Sequence, residues 1–181
     1  MRSGDRAGER GERLAGSKGP AGSDGGRLSL RVADADDLAV LASVLQDAVI
    51  AIGDMRYIAS DKLFVMLASR FRWEAVFDSG SEVGPGDEIE GGANASAFER
   101  IHCGVAFEGV EAVKVKGIDM KDRSQFLDLL TLRAEDEGLI LTFAGGGAIR
   151  LDVPRIRGHM RDMGEPWPTA NKPEHELGDG G

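Results

Sequence analysis

The side chains able to do chemistry are few in this sequence. Histidine occurs three times, at His102, His159 and His175, and cysteine once, at Cys103. His102 and Cys103 are neighbours on an alternating stretch. A strand sends their side chains to opposite faces, so no local Cys–His dyad forms. Cys103 then reads as a small buried apolar residue rather than as a nucleophile. His159 and Asp162 stand three apart in a helical pattern, within reach of each other but without a third metal ligand nearby. Asp34, Asp36 and Asp37 are explained by helix capping and the helix dipole. Asp47 and Asp54 flank a helix end and a turn, where Asp is ordinary. Gly145-Gly146-Gly147 is not followed by Gly-Lys-Ser/Thr and leads into a strand, so it predicts a hairpin turn rather than a phosphate cradle.

One stretch stands out. Arg70-Phe71-Arg72-Trp73-Glu74 alternates charge with aromatic. As a strand it places Arg70, Arg72 and Glu74 on one face and Phe71 and Trp73 on the other. Two adjacent guanidiniums can grip an anionic ligand or a partner's carboxylates; the plainer expectation is an exposed, salt-bridged sheet face. Arg150 joins them if its strand pairs with this one. Arg70, Arg72, Trp73, Glu74, Arg150 and His102 form the candidate binding surface. No residue qualifies as catalytic, cofactor-binding or metal-ligating, and no cofactor is expected.

These residues need elements to hold them. Residues 1–26 are almost free of apolar side chains and read as a disordered tail. Order begins near Arg27, with Leu28, Leu30 and Val32 alternating as a half-buried strand. Asp34 caps a helix whose stripe is Leu38, Leu41, Leu45 and Ala48. Strands follow around Val49–Ile52, Met55–Ala59 and Leu63–Glu74, the last apolar on both faces as far as Ser69. Residues 78–97 read as an acidic surface loop. Extended segments then run around Ile101–Phe107, Val113–Val115, Leu127–Leu132 and the hairpin 139–153. Pro154 opens a predicted C-terminal helix carrying Ile156, Met160 and Met163 and closed by Gly164. Residues 165–181 form an extended tail in which Trp167 can fold back as an anchor. A single domain over 27–164 results.

Short connections imply antiparallel pairing. The expected class is α+β: a strongly bent antiparallel sheet or partly open barrel of about eight strands, with one N-terminal and one C-terminal helix. Pleckstrin-homology-like barrels share that element order.

The chain has 181 residues and a net charge of −9. That balance repels phosphate backbones and anionic bilayers, so neither nucleic acid nor a membrane is an expected partner. No apolar run reaches the roughly 18–20 residues that span a bilayer. The charged N-terminus lacks an apolar segment behind it, unlike a secretory signal. The lone cysteine fits a reducing cytoplasm.

Leu45-Gln46-Asp47-Ala48-Val49, Arg70-Phe71-Arg72-Trp73-Glu74 and the run from Thr142 to Leu151 resemble a family of small bacterial proteins, mostly alphaproteobacterial, whose domain has no assigned function. The resemblance runs from about Leu28 to Leu177. It implies a cytoplasmic bacterial protein and brings no activity, cofactor or catalytic residue. The residues favour a non-enzymatic binding or accessory domain with a protein partner or a second copy of itself. The alternative is a small-ligand-binding or enzymatic domain, with an anionic ligand at the sheet opening near His102, Arg72 and Arg150.

Overall fold

The structure, a computed structural model, describes residues 21–24, 27–74 and 98–169. Most of the expected N-terminal tail, the whole acidic loop 78–97 and the end of the C-terminal tail lie outside the described residues. The order is β1 (Ala21–Asp24), β2 (Arg27–Val32), α1 (Ala35–Val44), β3 (Val49–Ala51), β4 (Met55–Ile58), β5 (Leu63–Phe71), β6 (Glu99–Glu108), β7 (Ala112–Lys116), β8 (Phe126–Ala134), β9 (Gly138–Phe143), β10 (Ala148–Asp152) and β11 (Gly158–Pro168). β1 places a strand inside the stretch read as tail.

The helix starts as its residues dictate. The Asp34 side chain accepts the N–H of Asp37 at 2.9 Å, and Asp37 Oδ2 accepts the N–H of Ala33 at 2.9 Å. Leu38, Leu41 and Leu45 are buried. Asp47 then takes a left-handed backbone (φ 58) and turns the chain into β3.

All pairings are antiparallel, in the order β1-β2-β11-β6-β5-β3-β8-β9-β10-β7, with β4 also on β5. The path has two ends, so the sheet bends without closing. Its corner lies between β3 and β4. β3 pairs with β8 and touches β5 at Val49–Ser69, whereas β4 pairs only with β5, from Met55–Met66 onward. A 3-10 turn at Ile52–Asp54, at the expected turn signal, separates them. One contiguous buried cluster includes Leu30, Phe64, Val105 and Met160 from one half, Leu129, Leu141, Phe143 and Ile149 from the other, and Leu38 and Leu41 of α1. The sheet therefore curls around a single core, with α1 packed on its inner face.

β8 carries a bulge between Leu129 and Thr131. The extra residue shifts the buried register from Leu127 and Leu129 to Leu132 and leaves Leu130 48% exposed. The predicted hairpin is present as β9 and β10, turning at Gly145 (φ 78) and Gly146 (φ 83).

The predicted C-terminal helix is a strand instead. In β11, Gly158, Met160 and Asp162 face inward and His159, Arg161 and Met163 face outward, a two-residue period. Ile156, Met160 and Met163 fit a helical spacing by coincidence. Partners decide the outcome: β11 lies between β2 and β6, and its backbone completes both ladders. The element on which the pleckstrin-homology comparison rested is thus not a helix, and among the described residues the sheet has eleven strands rather than about eight. No helix among the described residues is long and apolar enough to cross a membrane.

Candidate functional site

The end of β5 gathers most of the residues singled out in the sequence, but not as an exposed charged face. On β5 the inward positions are Phe64, Met66, Ala68 and Arg70, all buried. Arg70 therefore points into the protein. Its Nε donates to Asp162 Oδ1 at 2.8 Å and its Nη2 to Asp162 Oδ2 at 2.6 Å. Nη2 also donates to Glu74 Oε1 at 2.5 Å, and Nη1 to Glu74 Oε2 and to the carbonyl of Phe71, both at 3.1 Å. All five donors are used, which is how a guanidinium tolerates burial. Asp162 Oδ2 also accepts the N–H of Leu28 at 2.8 Å and so ties β2 to the cluster.

Burial alone would lower the pKa of Arg70. The hydrogen bonds and charges of Asp162 and Glu74 reverse this and raise it above its ordinary value. For Glu74 burial disfavours the charged form, yet the hydrogen bonds and charge of Arg70 outweigh it and hold the carboxyl below its usual range. Arg70 has no donor left for an external anion.

Arg72 bonds to Glu99 across the strands at 2.5 Å. Trp73 packs on Phe71, their ring centroids 4.4 Å apart, and Phe98 lies 5.7 Å from Phe71. His102 is exposed on the outward face of β6, and its ring lies 4.5 Å from that of Trp167 on β11. Met163, paired with His102, is 50% exposed. A Cβ on Gly104 would come within 3.2 Å of its sulfur, so the thioether lies over that glycine.

Arg150 does not join this group. It sits on β10, between β9 and β7, and not beside β5. Its Nε donates to Asp152 at 2.8 Å, and Lys114 holds the other oxygen of that carboxylate at 2.6 Å. Lys114 and Arg150 together keep the carboxyl of Asp152 below its usual range. A cleft of about 230 Å³ beside them is lined by Glu111, Glu137, Arg150, Asp152, Val153 and Pro154. Its carboxylates outnumber its cations, which disfavours an anionic ligand.

Cys103 is buried on the inner face of β6, across the strand from exposed His102, as alternation requires. Burial pushes its thiol up to about 12. His159 and Asp162 point to opposite faces of β11, which corrects the pairing expected on a helix. Among the described residues no group of three or more His, Cys, Asp or Glu is placed to hold a metal ion. Sequence reasoning missed Asp162 as Arg70's partner and Trp167 as part of the sheet. The alternation from Gly158 to Met163 was the available signal for both.

The family described as "Protein of unknown function (DUF2948)" matches residues 28–175. The chain belongs to that family. The matched stretch contains α1, all of β2 but Arg27, every strand from β3 to β11, and the Arg70–Asp162–Glu74 cluster. Comparison with curated proteins and with solved structures gives no match.

Proposed function

We propose that this domain is a non-enzymatic binding module that presents the outward face of β5, β6 and β11 to a protein partner. The observation that carries this is the group His102, Trp167 and Met163, rings in contact beside a half-exposed thioether on a sheet face. Aromatic residues and Met are what interfaces enrich, and Trp is a frequent anchor of binding energy. Leu63, Val65 and Leu67, at outward positions of β5, extend the same face. Among the described residues no second layer covers it, because α1 packs on the inner side. Pairing of a second copy along β7 is less favoured, since Lys114 and Lys116 mark that edge.

The test is a photo-crosslinking amino acid placed at Met163 or, as a control, at exposed Leu130 of the other half. The expected result is one stoichiometric adduct from position 163 and none from position 130. Met163→Asp should abolish co-purification of the same partner while leaving the thermal midpoint within a few degrees. Equal labelling at both positions, or none at either, sinks the proposal.

A further inference from the structure

The pairing registers align five outward residues in one row across five strands: Arg31, His159, Ala106, Val65 and Arg56. Arg161 lies on the same face, two residues along β11 from His159. Arg31, Arg56 and Arg161 take part in no ion pair among the described residues. Three unpaired guanidiniums on one face are out of keeping with a chain of net charge −9. Between Arg31 and Arg56 the row holds exposed His159 and then a low apolar pair, Ala106 being buried and Val65 half-buried.

We infer that this row recognises an acidic, extended segment of a partner protein, laid across the strands. The inference rests on the protein-binding proposal above and names the partner's chemistry. Four inter-strand steps of about 4.8 Å separate Arg31 from Arg56 by about 19 Å. An extended segment rising about 3.3 Å per residue covers that span in about six residues. Carboxylates at its two ends meet Arg31 and Arg56, with Arg161 beside the first. Small apolar side chains between them lie over Ala106 and Val65. Glu108, 3.9 Å from His159, discourages a second acidic group at the end of β6. A nucleic acid strand fits less well, because the remainder of the molecule repels its phosphates.

The probe is a fluorescent eight-residue peptide with two glutamates at each end and alternating valine and alanine between them. Fluorescence anisotropy with the full chain should show saturable binding. Arg31→Glu with Arg56→Glu should weaken it at least about tenfold, both residues being exposed, with the circular dichroism spectrum unchanged. The same double variant should gain binding to the lysine-ended version of the peptide. Absence of binding, binding indifferent to the charge reversal, or equal binding of an oligothymidylate overturns the inference. If position 163 still captures its partner while the peptide fails to bind, only the acidic-segment assignment falls. If the peptide binds as expected and position 163 captures nothing, the face is anion-selective and the aromatic contact proposed above is wrong.

Discussion

Arg70 and Asp162 stand 92 positions apart in the chain and meet through two parallel hydrogen bonds of 2.8 and 2.6 Å, both side chains shut away from solvent. Such a pair adds little net stability over a well-packed apolar substitute. Removing Asp162, however, leaves the Nε–H of Arg70 and the N–H of Leu28 without acceptors and only Glu74 to balance the guanidinium. Asp162→Ala is therefore expected to lower the unfolding free energy by about 3–5 kcal/mol. Urea denaturation followed by tryptophan fluorescence measures it. A loss below about 1 kcal/mol would show that Glu74 or entering water balances Arg70 without Asp162.

Glu74 titrates lower in the folded chain than in the unfolded one. A depressed folded value means that its contribution is present above the ordinary carboxyl pKa, near 4.5, and disappears as pH falls through the lowered one. Glu74→Gln should flatten the loss of stability below that pH and leave its shape at neutral pH unchanged. Urea midpoints measured from about pH 6 to about pH 3 test this. A variant whose acid limb is as steep as that of the parent would assign the acid sensitivity elsewhere.

Cys103 should resist thiol reagents. At pH 8 a thiol with a pKa of about 12 is ionised to about one part in ten thousand. An ordinary cysteine is ionised to about a quarter at that pH. Alkylation of the native protein by iodoacetamide should run at least about a thousandfold slower than in urea. Mass spectrometry of the alkylated chain reads both rates. Comparable rates would mean that β6 opens readily.

Gly158 and Gly145 should respond differently to alanine. A Cβ at Gly158 would lie 2.8 Å from the carbonyl oxygen of Ala106 and from Cδ1 of Phe107, within a strand paired on both sides. Neither neighbour can move without disturbing a ladder, and a cost of about 3 kcal/mol is expected. Gly145 has open space around it and only its left-handed backbone to object, which costs about 1–2 kcal/mol. Thermal denaturation should rank Gly158→Ala below Gly145→Ala, and the reverse order would refute the close packing of β11 on β6.

Local rules carried the helix start at Asp34 and the hairpin around Gly145, because each depends on neighbours in sequence. Alternation separated Arg70 from Phe71 correctly but could not say which of them faces inward. That depended on a carboxylate on β11 and on Trp73 and Phe98 covering Phe71 from outside. The exposure of Leu130 within the run Leu127–Leu132 was not legible, because a bulge is invisible until a partner strand is present. The spacing of Ile156, Met160 and Met163 satisfied a helix, while the two open edges that needed filling were distant in the chain.

Because β11 sits between β2 and β6, the first part of the sheet cannot be completed before β11 itself has been made. A nascent chain that has reached β10 carries β6 with a bare edge, and the β1–β2 hairpin has nothing to join. Arg70 waits there without its carboxylate until Asp162 is synthesised. Docking of β11 is the step that joins β2 to β6 and makes one sheet of the two pieces.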